Sequence, residues 1–437
     1  MSRAEWLVGL SLVHGPIPLA LTVGAVLGLL VLLVLRRSAR WWTRGVPAAA
    51  VASAVVLGLA LLTVRVTKPF PDPVPTSVVL WTGLAVLGVA LLAVGWRHHR
   101  WSARILAVLA TMLVVLGAGV RVDGVYGAFP TIATALQLPP HDAAGATVPP
   151  PVAHTMPAVT GRPLDQQWHP APGMPTHGAV VQVDIPPTHS GFHARPAWIY
   201  LPPAYLTPNR PLLPVLELLG GQPGSSRDWL DGGQLAQRMD AWASAHNGLA
   251  PVVVMPDALG GEVANPLCLD SALGQADTYL SQDVPEWVTA HLQIDSAPAH
   301  WAVGGFSFGG TCALQLAAAH PQLFPTFFDA SGQAGPTLGD PARTVAAAFP
   351  GNAAAFAAVD PLRELAARRY PDSAGYFLVG ADDPGYAGDA HTVVTAAQAA
   401  GMTVVYRELP GGHSYQVWGP GFDGALPWLS VRLGLTA

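Results

Sequence analysis

Four long apolar runs, all within the first 120 or so positions, limit what this chain can fold into more than any other feature. They cover about Pro18–Leu35, Val46–Val64, Ser77–Trp96 and Ile105–Val120. As helices, runs of roughly 20 apolar residues match the ~30 Å hydrocarbon thickness of a bilayer. Helices also satisfy their own backbone hydrogen bonds, which lipid cannot do for them. A shorter apolar piece, Trp6–Val13, precedes the first run across His14-Gly15-Pro16-Ile17-Pro18, where the prolines either kink a helix or mark its start. Trp41, Trp42, Trp81, Trp96 and Trp101 fall near the run ends, at the headgroup level that amphipathic rings favour. No Asp, Glu, Lys or Arg lies inside any run, so no ion path or proton relay is expected and the role is that of an anchor.

Arginines give the orientation. Arg36, Arg37, Arg40 and Arg44 follow the first run, and Arg97, Arg100 and Arg104 follow the third. The second connection has Arg65 and Lys68 offset by Asp72. The positive-inside rule places the first and third connections in the cytoplasm and both termini outside. Three further runs and the arginine-rich stop oppose reading the first run as a cleaved signal peptide. The expectation is a multi-pass protein of the cell membrane with everything downstream extracytoplasmic. Hydrophobic residues make up 51% and charged residues 11%, against about 25% charged in ordinary soluble domains. The net charge is −5, and no basic cluster interleaves with aromatics, so nucleic acid is not an expected partner.

The chain then changes character. Residues 1–122 are read as the transmembrane region, 123–176 as a proline-rich extracytoplasmic linker and 177–437 as the globular domain. Gly124–Leu138 is mildly apolar and suits the membrane surface. Pro139-Pro140, Pro149-Pro150-Pro151, Pro157, Pro163, Pro170, Pro172 and Pro175 then predict an extended spacer. Its histidines, His141, His154 and His169, lack metal-ligand spacing and are read as loop residues.

From His177 onward, β-rich runs alternate with helix-length segments. Strands are expected at Val180–Ile185, Pro196–Tyr200, Pro214–Leu219, Pro251–Met255, Trp301–Phe306, Thr326–Phe328, Tyr376–Val379 and Thr403–Leu409. Helices are expected at Gln234–Ala245, Gln275–Leu292, Phe308–Ala319, Pro361–Arg369, His391–Ala400 and Ala425–Leu433. Such alternation implies a mostly parallel sheet with helices on both faces.

Gly305-Phe306-Ser307-Phe308-Gly309 joins one of these strands to one of these helices. A strand, a sharp turn and a helix around a Gly-x-Ser-x-Gly run form a nucleophile elbow, which makes Ser307 the candidate nucleophile. Two more groups follow at strand ends. Tyr376–Val379 leads into Gly380-Ala381-Asp382-Asp383, and Thr403–Leu409 leads into Pro410-Gly411-Gly412-His413. A serine needs a base to take its proton and an acid to orient that base. His413 is the expected base and Asp383 its partner, with Asp382 the alternate acid. Asp329, after Phe327-Phe328, is read as structural, and His391 as a helix-start residue. Backbone N–H groups must meet the developing oxyanion. Phe308, the residue after the nucleophile, and Gln222, in the turn Gly220-Gly221-Gln222-Pro223-Gly224, are the expected donors; Pro223 has no N–H.

Several motifs carry a family resemblance: Leu218-Leu219-Gly220-Gly221 with Asp228-Trp229, Tyr279-Leu280-x-x-Asp283-Val284-Pro285-x-Trp287, Gly304 to Gly310 around Ser307, and Gly412-His413. Over roughly Gly178 to Leu435 the chain resembles the Putative esterase family of α/β-hydrolases, which includes esterase D-like enzymes and actinobacterial mycolyltransferases. The resemblance implies an α/β-hydrolase fold behind the four-helix transmembrane region, an acyl-enzyme mechanism, and no metal or organic cofactor. In that fold Cys312 falls on the helix after Ser307 and Cys268 on a loop after a neighbouring strand. An extracytoplasmic location permits these two cysteines to form a disulfide.

The expected function is a membrane-anchored serine esterase or acyltransferase acting on lipid or cell-envelope acyl esters. Two other classes are compatible with the sequence: a catalytically idle hydrolase fold that binds an envelope component, and an accessory domain of a lipid-handling membrane unit. Retained Ser307, Asp383 and His413 oppose the first, and uncharged spans oppose the second.

Overall fold

A computed structural model describes residues 3–36, 38–68, 73–98, 100–138, 147–156 and 161–437. Arg37, Asp72, Pro139, Pro140, His141 and Pro157, named above, lie outside them. The chain divides into two units, Met1–Leu138 and Pro139–Ala437.

In the first unit, α1 (Pro16–Val34), α2 (Val46–Thr67), α3 (Thr76–Gly95) and α4 (Trp101–Tyr126) follow one another. A π-helical turn, Trp41–Gly45, extends the second of them. Among the described residues these are 4 helices long and apolar enough to cross a membrane. The prolines after Gly15 start α1: Gly15 takes a φ of 90° and Pro16 occupies the first helical turn. Small residues let α1 and α4 approach closely. A Cβ on Gly28 would lie 2.6 Å from the Ala110 carbonyl, and one on Gly117 would lie 2.6 Å from the Ala25 methyl. Leu19, Leu27, Leu59, Leu109 and Leu116 point outward, the pattern of a surface that meets hydrocarbon rather than water. Beyond α4, Thr131 caps the short turn Ile132–Ala135 and pairs with Ser11 in an isolated bridge.

The second unit is built on an eight-stranded sheet. Its strands are β1 (Ala179–Val183), β2 (Ala197–Leu201), β3 (Val215–Leu219), β4 (Val252–Met255), β5 (Trp301–Phe306), β6 (Thr326–Ala330), β7 (Ala374–Gly380) and β8 (Thr403–Leu409). The spatial order is β8-β7-β6-β5-β3-β4-β2-β1. Pairing is parallel from β8 to β4 and antiparallel at β4–β2 and β2–β1. The central strands are buried along their whole length, which is why they read as continuous apolar runs.

Helices cover both faces. On one face α6 (Val284–His291), α7 (Phe308–Ala319) and α8 (Pro384–Ala399) bury Val284, Val288, Leu316, Val393 and Ala397. On the other, α5 (Leu235–Ala245) and α9 (Tyr415–Arg432) bury Leu235, Met239, Val417, Phe422 and Leu429.

Local readings need four corrections. His391 lies inside α8, which begins at Pro384. The closing helix begins at Tyr415 and runs through Pro420 and Pro427. His154 belongs to a short strand, His154–Met156, parallel to Asn209–Pro211. Leu164 and Trp168, in the stretch expected to be extended spacer, are buried in the core of this unit. The Leu164 and Asp165 N–H groups donate to the carbonyls of Gly434 and Leu435, so this segment is held by the end of the chain.

Candidate active site

Ser307 sits between the last residue of β5 and the first of α7, with φ 55° and ψ −122°. An L-residue pays about 1–3 kcal/mol for such a conformation, so the surroundings must enforce it. They do so from both sides: the Ser307 N–H donates to the Ala330 carbonyl at 2.8 Å, and the Ser307 carbonyl accepts from the Thr311 N–H at 3.1 Å. The flanking glycines are steric requirements. A Cβ on Gly305 would strike the Gly309 backbone, and one on Gly309 would strike the Leu219 carbonyl.

Asp383 and His413 come from the loops after β7 and β8. Those loops are tied together by Ala381 N–H to Leu409 carbonyl at 2.8 Å and Asp382 N–H to Gly411 carbonyl at 2.9 Å. His413 Nε2 lies 2.8 Å from Ser307 Oγ, and His413 Nδ1 lies 2.8 Å from Asp383 Oδ2. A carboxylate can only accept, so Nδ1 carries the proton and Nε2 of the neutral ring accepts from the serine hydroxyl. Asp382 is exposed and has no such contact with the ring. Asp329 is fully buried, and its Oδ1 accepts from the Gly332 N–H at 2.8 Å. Burial pushes its carboxyl up to about 7, with the Gly332 N–H opposing that rise.

Two aromatic side chains hold the imidazole plane. Tyr386 stacks on His413 with ring centroids 4.0 Å apart, and Trp418 meets it edge-on at 4.8 Å. Trp418 is itself fixed by its Nε1–H, which donates to Ser331 Oγ at 3.1 Å.

The turn after β3 lies against the serine. A Cβ on Gly221 would be 3.6 Å from Ser307 Cβ, which sets the Gly221–Gln222 backbone beside the hydroxyl. Phe308 opens α7, where N–H groups lack intrahelical acceptors and face outward along the helix axis. The turn is anchored at its base. Trp229 Nε1–H donates to the Leu219 carbonyl at 2.9 Å, and Asp228 accepts from the Ser225 N–H at 3.0 Å and hydroxyl at 2.9 Å. Burial pushes the Asp228 carboxyl up to about 6, against the pull of those Ser225 bonds. Cys312 on α7 is bonded to Cys268, with Cα atoms 5.5 Å apart.

Sequence reasoning did not single out Tyr386, Trp418 or the ion pair of Arg195 with Asp257 described below. An aromatic residue beside a catalytic loop looks the same in sequence as one in the core. Arg195 and Asp257 did carry a signal: one precedes β2 and the other follows β4, its antiparallel neighbour.

With this geometry in hand, comparison with known proteins gives the class. Residues 193–429 match the family described as Putative esterase, and the chain belongs to that family. It is a serine hydrolase of the esterase type on an α/β-hydrolase fold. An uncharacterised protein of Corynebacterium glutamicum is 34% identical over 415 residues, 92% of this chain and 92% of its own. An alignment of that length takes in helical and hydrolase units together. Among solved structures, a ferulic acid esterase has a TM-score of 0.50 at 18% identity, covering 59% of this chain and 98% of its own. An S-formylglutathione hydrolase from Agrobacterium tumefaciens gives 0.49 at 19% identity, covering 60% of this chain and 98% of its own.

Proposed function

We propose that this chain is a membrane-anchored, extracytoplasmic serine esterase or acyltransferase that cleaves acyl esters of lipids or cell-envelope components. The observation that carries the reading is His413, within hydrogen-bond reach of both Ser307 Oγ and Asp383 Oδ2 at 2.8 Å. Ser307 Oγ attacks the acyl carbon while His413 Nε2 takes its proton. Asp383 keeps the Nδ1 proton in place and stabilises the imidazolium. The tetrahedral oxyanion receives the N–H groups of Phe308 and Gln222, each worth about 10²–10³ in rate. Collapse expels the alcohol, which leaves with the proton from Nε2, and the acyl group stays on Ser307. Water then gives hydrolysis; a sugar or lipid hydroxyl gives transfer. The arginine-rich first and third connections support a cytoplasmic location for those loops and an outer location for the esterase unit. Anchoring beside a bilayer favours substrates that are themselves held in the envelope.

The test uses full-length protein in detergent. Wild type is expected to take label from a fluorophosphonate probe and to hydrolyse p-nitrophenyl esters. Ser307→Ala is expected to lose the label and at least about 10³-fold in kcat. Folded wild type that neither labels nor turns over ester is a binder rather than an enzyme. Adding an alcohol acceptor and following product partition separates transfer from hydrolysis.

A further inference from the structure

Two residues from Gln222, the backbone of Gly224 is gripped on both sides. The Gly224 carbonyl accepts from Arg195 Nη2 at 2.9 Å, and the Gly224 N–H donates to the Glu262 carbonyl at 2.9 Å. Both grips lead to one carboxylate. Asp257, 1% exposed, accepts from Arg195 N, Nε and Nη2 at 2.8, 2.9 and 2.7 Å. The same carboxylate accepts from the Leu259 and Gly260 N–H groups at 3.2 and 3.1 Å, which shapes the loop that presents Glu262. Val263 in that loop accepts from Gln222 Nε2 at 3.2 Å.

We infer that Arg195 is a positioning residue for the oxyanion site: with Asp257 it clamps the 222–224 backbone so that the Gln222 N–H is held toward the carbonyl attacked by Ser307. The inference rests on the esterase reading given above. The chemistry explains why an arginine is needed. Its planar fork binds both carboxylate oxygens and still has a donor for a carbonyl, whereas a lysine ammonium is a single point charge without that fork geometry. The ion pair is more than surface decoration, because Asp257 is sealed from water and a single carboxylate organises two loops. Donors aimed at developing charge act only if they are fixed before the reaction, so slack in this turn costs rate rather than ground-state binding.

The experiment compares full-length wild type, Arg195→Ala, Arg195→Lys and Asp257→Asn. Readouts are kcat and KM for a p-nitrophenyl ester, affinity for a boronic acid that forms a tetrahedral adduct on the serine, and hydrogen exchange of residues 220–226. Arg195→Ala is expected to lose about 10–100-fold in kcat with KM changed less than about 3-fold. Boronate affinity is expected to fall in parallel, and exchange at 220–226 to quicken. Arg195→Lys and Asp257→Asn should be intermediate, and they decide the matter if Arg195→Ala does not fold. Variants that keep kcat and boronate affinity within 2-fold of an active wild type overturn the proposal while leaving the esterase reading intact. So does a fall in melting temperature alone. A wild type that hydrolyses no ester and binds no boronate overturns the esterase reading, and this proposal with it.

Discussion

Asp329 is the penultimate residue of β6 and Asp383 follows β7 of the same sheet, yet their surroundings give them opposite chemistry. Asp383 is partly exposed and paired with His413, whereas Asp329 is sealed beneath the elbow with the Gly332 N–H as its partner. In sequence both were acids after a strand, and only the path of the loops decides which one reaches the imidazole. Asp329 has a pH consequence of its own. Burial raises its pKa to about 7, so the folded state holds the proton more tightly than the unfolded chain. Stability is therefore greatest at low pH for this group, begins to fall above the unfolded carboxyl's value near ~4, and has lost the full difference above about 7. That difference is on the order of a few kcal/mol. Asp329→Asn keeps an acceptor for Gly332 and removes the ionisation. The melting temperature of the variant minus that of wild type should rise from pH 4 to pH 7 and level off beyond. A difference that is flat with pH would mean that Asp329 carries its charge without penalty.

Among the elements, α7 carries the most constraint, since its first turn holds the serine and its Cys312 ties it to the loop that ends at Cys268. The cysteines are 44 residues apart in sequence. Closing a loop of that length removes chain entropy from the unfolded state worth about 2–4 kcal/mol. Oxidised wild type should therefore melt higher than the dithiothreitol-treated protein, and Cys268→Ser should match the reduced form. Mass spectrometry of untreated protein showing two alkylatable thiols would remove the bond from the account. The elements around α7 were legible in proportion to how continuous their apolar pattern is. β5 and β8 coincide with the predicted Trp301–Phe306 and Thr403–Leu409 because residues at both ends punctuate them. The first turns of α8 and α9 were not legible, because Gly385, Gly388, Gly419, Pro420 and Gly421 are poor helix formers that tertiary packing overrides. The same rule explains the site. Ser307, Asp383 and His413 stand at punctuated strand ends and could be named from sequence. Tyr386 and Trp418 flank the His413 ring through contacts that no sequence spacing marks.

At the scale of the whole molecule, the arrangement of charges and helices makes a statement about sidedness. Arg36, Arg40 and Arg44 lie between α1 and α2, and Arg97, Arg100 and Arg104 lie between α3 and α4. Arg36 lies over the Trp41 ring at 5.8 Å and Arg104 over Trp96 at 5.2 Å, so these cations are held at the helix ends. Among the described residues the opposite ends of α2, α3 and α4 carry fewer: Arg65, Lys68 and Arg121, the last over Trp81 at 5.6 Å. On the proposed topology, this bias and an even number of crossings predict that the segment leaving α4, and the esterase unit after it, lie on the side away from the six arginines. Ser38→Cys places a thiol in the first connection, and Gln182→Cys places one on an exposed position of β1. In intact cells a membrane-impermeant maleimide should label Gln182→Cys, and Ser38→Cys only after permeabilisation. The reverse pattern would put the serine hydrolase in the cytoplasm, where envelope esters are out of reach and a reducing environment would oppose the Cys268–Cys312 bond. A Cys268–Cys312 bond found in protein from cells therefore supports the outer location.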